Sequence, residues 1–430
     1  MEPSEEYKPM NSKEFLKKKK LLIYDFGNHS EMASKLGEKF GEVMYYVQKH
    51  NVFPKMEKDI VGVGLPNLTV VDSFWDNVDS ADAILFPTTM SGDMVEYLRS
   101  KKYPVMGNGT LQSMELDRAW MRKAQKKLGL LVQQTKVIQG IDNLRSYLKN
   151  ENDKYVKISK YRGNGETFHH ISSENSKFIL DKMEYELGGM KNMMEFIVED
   201  PIGSEGDVEV GIDGILVNGK LLSPLMYGYV TEDYFSAVKA SEYNDLPHPL
   251  KDVSDKLEPL FKNFKTTSFF GNEIRMIDKD KWYLTDPCVR IGYPSSDVFS
   301  QEMIENLAEV IYGASHGVEV KPKFKYKYGA MVAIDAGETT DRWIHIDIPE
   351  KYKQFVKVFR GMKTDHGYEV SAKPQFLFEV IGFGNTLDEA IADVKKHSEG
   401  IKGNCFDINF NGFKDLKDEI AKGEKLGIQF

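Results

Sequence analysis

The 430-residue chain has little cysteine: two residues, Cys288 and Cys405. Two thiols so far apart make neither a disulfide framework nor a zinc-type spacing. Such a count suits a reducing, cytoplasmic compartment. Long apolar runs are also lacking. A stretch such as AILFP (83–87) falls far short of the roughly 20 residues a membrane span needs. Positive charge is not in excess. Lys and Arg number 57 against 66 Asp and Glu, a net charge of −9, which argues against a nucleic-acid partner. The one basic cluster, Lys17 to Lys20, reads as a solvated lead into a strand. None of the nine histidines is paired at metal-ligand spacing. His169 and His170 read as ordinary strand residues. The opening MEPSEEYKPMNSKEF is acidic and polar, unlike a signal or transit peptide, and residues 1–16 read as a disordered tail.

What is present is a globular balance, 41% hydrophobic and 29% charged, long enough for two to four domains. LLIYDFG (21–27), EVMYYV and SADAILFP read as strands. SEMASKLGEKF and GDMVEYLRSKK read as helices between them. This alternation predicts a parallel α/β domain over 17–113. A helix from about Leu116 to Leu128 opens a second region, 114–320. Its glycine-punctuated alternating stretches predict antiparallel hairpins with helices packed on them. A smaller α+β segment follows from 321 to 430. Thr386 and Glu389 form a capping box there, and Leu387, Ile391 and Val394 give its helix an apolar stripe. GASHG (313–317) matches a nucleophile-elbow pattern around Ser315, but it ends a helix, so Gly317 reads as a helix stop.

Two places carry charge in a chemically suggestive way. In GNEIRMIDKDKWYLTDPCVRIGYP the DKDK segment is the only turn candidate. With Lys279 and Asp280 as a two-residue loop, Asp278 pairs with Lys281 and Glu273 lies directly opposite Asp286. Opposed like charges repel, and a divalent cation between the carboxylates would offset that. A pair of solvated charges at a strand end is the other reading. In YVKISKYRGNGETF, Lys157 lies in a strand and Gly163 and Gly165 in the loop beyond it. Backbone N–H groups in such a loop can face an anion, with Lys157 as a point charge. A plain hairpin turn is the other reading.

The order of these features resembles the ATP-grasp superfamily, and in detail the phosphoribosylamine–glycine ligase family, over nearly the whole chain. MELDRAWMRKAQKKLGL is similar to the helix that opens the family's ATP-grasp region. KYVKISKYRGNG is similar to its lysine strand and phosphate loop, and MMEFIVEDPIGSEGDVEVGIDG to its adenine-reading hinge. LTDPCVRIGYPSS is similar to its acidic end strand, and GFGNTLDEAIADVKKHSEGI to its last domain. The resemblance implies a pre-ATP-grasp α/β domain, an ATP-grasp domain with a lysine and glycine-loop subdomain at about 125–192, and a small C-terminal domain. It implies ATP and Mg2+ (or Mn2+) as cofactors. Arg118, Lys157, Gly163, Gly165, Glu195, Phe196, Ile197 and Glu209 would hold the nucleotide, and Glu273 and Asp286 the metal. Arg290 and Arg275 would be catalytic, with Arg290 near an acyl phosphate.

The implied activity is ATP-dependent amide formation between a small carboxylate and a small amine, by a cytoplasmic monomer or homodimer without a nucleic-acid or membrane partner. The chain departs from the family pattern in five places. Cys288 stands for a metal-binding asparagine, and Arg118 for a lysine. The substrate loops read GNHSEMA and FPTTMSG, and Gly292-Tyr293-Pro294-Ser295 replaces Gly-Asp-Pro-Glu. These changes suggest a divergent enzyme with a changed substrate. The alternatives are the purine-biosynthetic ligase itself and an inactive nucleotide binder.

Overall fold

The computed structural model describes residues 13–47, 60–160, 167–203, 206–292, 295–336, 343–371 and 376–430. The first domain is a five-stranded parallel sheet in the order Thr69–Val70, Glu42–Val47, Lys20–Asp25, Ala83–Leu85, Val105–Met106. Its strands are apolar because both faces are covered: Leu21, Leu22 and Ile23 are all fully buried, as parallel sheets require. The helices Ser30–Gly37 and Gly92–Ser100 provide crossovers. The strand order reverses between Lys20–Asp25 and Ala83–Leu85, and the carboxyl ends at such a reversal are where open α/β sheets receive ligands.

The largest sheet is antiparallel and has nine strands. It runs from Lys281–Cys288 through Ser268–Asp278, Val208–Val217, Leu225–Val230, Phe235–Ser241, Tyr328–Ile334 and Phe378–Gly384 to Val356–Val358, with Lys220–Leu221 on Val208–Val217. The helix His248–Asn263 lays Leu250, Val253, Leu257 and Phe261, one helical stripe, against it. Phe261 meets Phe270 edge-on at 4.8 Å. The sheet crosses position 321, so the last segment shares its backbone ladder with the middle region. That segment also has a four-stranded sheet of its own, Gly361–Thr364, Gly367–Ser371, Trp343–Asp347 and Lys402–Gly403. Its helix Leu387–His397 is capped as expected. Thr386 Oγ1 accepts from the Glu389 N–H at 3.2 Å, and Glu389 accepts from the Asn385 N–H at 2.7 Å.

The fourth sheet is small: Thr135–Gln139, Glu195–Glu199, Lys154–Ile158, Thr167–His170 in that order, all antiparallel. It has its own core, including Ile138, Leu144, Val156 and Phe196. The expected subdomain ending near 192 therefore extends to Glu199. The expected helix at 116–128 is Arg118–Lys127, and a short helix, Ser113–Leu116, precedes it. The break falls at Asp117, whose carboxylate caps the second by accepting from the Trp120 N–H at 2.9 Å. Ser315 ends the helix Leu307–Ser315, and Gly317 follows with φ +72°, a helix stop. No helix among the described residues is long and apolar enough to cross a membrane.

Candidate active site

Side chains of directly paired strand residues point to one side of a sheet. The ladder pairs Glu273 with Asp286, Gly271 with Cys288, Gly211 with Glu273, Asp213 with Gly271 and Glu209 with Arg275. Glu209, Asp213, Glu273, Arg275, Asp286 and Cys288 therefore share one face. The hairpin turns at Lys279 and Asp280, and Asp278 pairs with Lys281. The register between turn and acids is not continuous. One shift lies between Met276 and Asp278 and another between Glu273 and Ile274. The first leaves an extra residue on one strand, Ile277; the second leaves one on the other, Thr285. They cancel, so a count back from the turn lands on the correct pair. The Thr285 bulge also turns its hydroxyl into the site. Its single proton is shared between Glu209, at 2.8 Å, and the Glu273 carbonyl, at 2.9 Å.

This face is acidic. Burial, together with the charges of Glu209, Asp286 and Asp213, pushes the Glu273 carboxyl well above the usual range. Burial raises Asp213 to about 6 against the opposing pull of Ser296 and Arg290. A hollow of about 180 Å3 lies over the face, lined by Glu209, Asp213, Glu273, Asp286, Cys288 and Arg290. Gly211 and Gly228 pair directly across its floor.

A second hollow, about 220 Å3, adjoins it through Glu209 and Asp286. Its opposite wall is cationic: Arg118, Arg122 and Lys157. Arg122 grips Glu199 with two nitrogens, at 2.5 and 3.2 Å, and Lys157 reaches the same carboxylate at 3.4 Å. Burial draws the Lys157 ammonium down, opposed by Glu199 and Asp286 and reinforced by Arg122 and Arg118. An acidic wall on the large sheet thus faces a basic wall built by the small sheet and the helix Arg118–Lys127.

No family model matches the chain, and no curated protein matches its sequence. Solved structures do match. The chain is similar to phosphoribosylamine–glycine ligase from Thermotoga maritima, at 14% identity and TM-score 0.64, over 90% of this chain and 98% of that one. It is similar to the biotin carboxylase domain of the Hydrogenobacter thermophilus 2-oxoglutarate carboxylase, solved with MgADP, ADP and bicarbonate, at 12% identity and TM-score 0.68, over 96% and 99%. It is also similar to an L-amino acid ligase from Bacillus licheniformis, at 13% identity and TM-score 0.60, over 92% and 100%. The fold is the ATP-grasp fold. At these identities the likeness is one of architecture, and the chemistry must be argued from this chain's own residues.

Within the ATP-grasp fold the expected residues fall as follows. Lys157, Arg118, Glu209, Glu273, Asp286 and Arg290 all line the two adjoining hollows. Arg290 donates to the buried Glu115 at 2.9 Å and to the Ile291 carbonyl at 3.0 Å. Arg275 shares the face, but its guanidinium turns to Glu209 at 3.1 Å and toward Asp207 at 3.8 Å. Gly163 and Gly165 lie outside the described residues.

Glu195, Phe196 and Ile197 need a correction. They sit inside the central strand of the small sheet, where Phe196 and Ile197 pair with strands on both sides. The Glu195 carbonyl accepts from the Ser159 N–H at 2.8 Å. Main-chain groups engaged in two ladders cannot read a base. The chain leaves the sheet only after Glu199, so the linking segment nearest the site is Asp200–Gly203, where the Ile202 carbonyl faces Arg275. The apolar EFIVE run signalled a strand, and its end rather than its start is the junction. Cys288 points into the first hollow, where burial holds its thiol in the protonated form.

Asp213, Glu115, Arg122, Glu199 and Thr285 were missed. Asp213 was accessible in principle: it follows Glu209 by four residues on an alternating strand, which fixes a shared face. Arg122, four residues after Arg118, is one helical turn away.

Proposed function

We propose that the chain is an ATP-dependent carboxylate–amine ligase that forms an amide through an acyl phosphate and releases ADP and phosphate. One observation carries this reading: paired carboxylates, Glu273 and Asp286, face the cations Lys157, Arg118 and Arg122 across adjoining hollows. A triphosphate between such walls meets cations on one side and shares a divalent ion with the acids on the other. The residues fit that ion. Four carboxylates are gathered on one face, and Glu273 is under repulsion from the rest. Among the described residues no group of three or more His, Cys, Asp or Glu is set to hold an ion unaided. An ion held by one or two carboxylates plus substrate phosphates needs no such group. Magnesium or manganese held by Glu273 and Asp286 would neutralise charge on the phosphates.

In this reading the protein mainly positions reactants and excludes water. Lys157, Arg118 and Arg122 hold phosphate oxygens. Arg290, fixed by Glu115, faces the carboxylate as it becomes an acyl phosphate. Arg275 and Thr285 orient Glu209 from two sides. The adenine lies along Asp200–Gly203. The Cys288 thiol contributes no metal bond, since a protonated sulfur is a poor magnesium ligand.

The test is ADP release from magnesium ATP over a panel of small acids and amines, with nucleotide binding measured in parallel. Turnover on some pair supports the reading. Turnover with glycine and phosphoribosylamine alone would make this the purine-pathway ligase. Binding without turnover would favour a nucleotide-binding protein that lost activity, the reading Cys288 supports. Absence of nucleotide binding would overturn all three.

A further inference from the structure

The phosphate chemistry leaves one polar cluster unused. It lies at the carboxyl ends of the parallel strands, at the reversal of strand order. Asp25 ends the central strand, and its carboxylate is held by four donors. The Gly27 N–H (3.0 Å) and the His29 N–H (2.8 Å) bind one oxygen, as does the Tyr45 hydroxyl, and the His29 ring Nδ1 lies 2.9 Å from the other. Asp25 and His29 are both buried, at 0% and 1% exposure. A carboxylate beside Nδ1 keeps the proton there and leaves Nε2 as the acceptor. That Nε2 is buried and makes no hydrogen bond among the described residues. The Asp297 carboxylate lies 3.9 Å from it, itself paired with Lys357.

The neighbouring loops repeat the pattern. Thr88 and Thr89 follow the strand Ala83–Leu85, and Asn108 follows Val105–Met106. The Thr88 and Thr89 hydroxyls and Asn108 Oδ1 are buried with no hydrogen bond among the described residues. The Ile291 N–H donates to the Pro87 carbonyl at 3.1 Å, which joins this loop to the Arg290 end of the site. Buried polar atoms left unpaired keep their desolvation cost with nothing to offset it. Four of them beyond the carboxyl ends of adjoining strands point to a polar molecule that binds there.

We propose that the amine substrate binds here and that His29 Nε2 accepts its proton. The inference rests on the ligase reading above. An amine bound as an ammonium ion has no lone pair. Transfer of one N–H proton to His29 frees the nitrogen to attack the acyl phosphate. The C–N bond forms, the C–O bond to phosphate breaks, and the second amine proton leaves with the phosphate. The resulting imidazolium sits between the Asp25 and Asp297 carboxylates. The hydroxyls of Thr88 and Thr89 and the amide oxygen of Asn108 suit an amine carried on a polar, hydrogen-bonding body. The titratable and charged groups facing His29 are Asp25 and the neutral Tyr45 from the parallel sheet, Asp297 from the helix Ser295–Met303, Lys357 from the strand Val356–Val358, and Arg290. Burial outweighs Asp25 and, with Lys357 and Arg290, draws the ring below its ordinary value, so the acceptor form prevails near neutrality.

The test compares two nucleophiles on one activated acid. Hydroxylamine is uncharged near pH 7 and needs no base to free its lone pair. With magnesium ATP and an acid found in the panel above, H29Q should form hydroxamate within about twofold of wild type. Its amide formation with an ammonium-form amine should fall at least about 100-fold. Equal loss in both reactions, or loss in neither, would overturn the assignment. If H29Q does not fold, the wild-type pH profile decides. Amide formation that is flat from pH 7 to 8, below the amine's own pKa, shows a base at work. A climb of about tenfold per pH unit toward that pKa shows that only free amine reacts, and it overturns the proposal. Wild type that yields neither ADP nor hydroxamate with any acid refutes the ligase reading, and this inference falls with it. Hydroxamate without the flat profile refutes His29 alone.

Discussion

Glu199→Gln should destabilise the small sheet at neutral pH and lose that effect in acid. Glu199 is 2% exposed and bound by Arg122 and Lys157. Burial alone would raise its carboxyl, but the Arg122 hydrogen bonds and charge, and then Lys157, outweigh it and hold the group at about 2 instead of 4.5. A difference of roughly 2.5 units at 1.36 kcal/mol each is about 3 kcal/mol, within the range for breaking a buried ion pair. Lys157 itself is drawn down, so its burial costs more than its contact with Glu199 returns. The gain therefore belongs to Arg122, and about 3 kcal/mol is an upper figure. Because the folded pKa is depressed, the contribution is complete above about pH 4.5 and fades as pH falls toward 2. Less than half should remain near pH 3. Urea midpoints for wild type and E199Q from pH 7 to pH 3, with amide exchange in Glu195–Glu199 as the local probe, would show this. A deficit below about 1 kcal/mol at pH 7, or one that does not shrink in acid, would refute the reasoning.

Glu273→Gln and Asp286→Asn should each reduce ADP release more than about 100-fold while leaving the melting temperature unchanged or raised. Each removes one of several like charges without changing volume; normal turnover in either variant would remove that residue from the metal site. Glu379 is fully buried, has no hydrogen bond among the described residues, and is pushed by burial to about 8 against the pull of Lys357. A carboxyl raised on folding loses stability as pH rises from its unfolded value through its folded one. Glu379→Gln should therefore match wild type in urea midpoint at pH 5 and exceed it at pH 9; equal midpoints at both would show that Glu379 is ionised throughout. Arg290→Lys should lower both turnover, by more than tenfold, and melting temperature. An ammonium keeps the charge but cannot bridge Glu115 and the Ile291 carbonyl in one plane, and a variant with wild-type values would show that charge alone suffices there.

The acidic pair was legible because a hairpin turn fixes register, and DKDK offered one place to turn. The two bulges were invisible in the sequence, and only their cancellation kept the count true. The parallel domain was legible from apolar runs between helical stripes. The small sheet was harder to bound: EFIVE reads as a strand, but nothing in it says that both its edges are paired, which is what rules out base reading by Phe196 and Ile197. The join across position 321 is a long-range pairing of Phe235–Ser241 with Tyr328–Ile334, and local pattern carries no information about such partners. Arg122 and Glu199 are 77 residues apart, so their meeting could not be read from spacing. Asp25 and His29 sat in view in YDFGNH, but their role depends on Tyr45, Asp297 and Lys357, which only the tertiary structure assembles.

The nine-stranded sheet has a mechanical consequence. Its ladder ties the acidic hairpin at one edge to Val356–Val358 near the other, so those parts cannot swing apart without shedding hydrogen bonds. The small sheet stands outside that ladder, joined to the rest of the chain through 128–134 on one side and Asp200–Gly203 on the other. Two further bonds pin it: Arg122 on Glu199 and the Lys160 N–H on the Leu116 carbonyl. Under the ligase reading, the arginine that pins the small sheet would also meet the phosphates, so the placing of that sheet and the charge beside it would depend on one side chain.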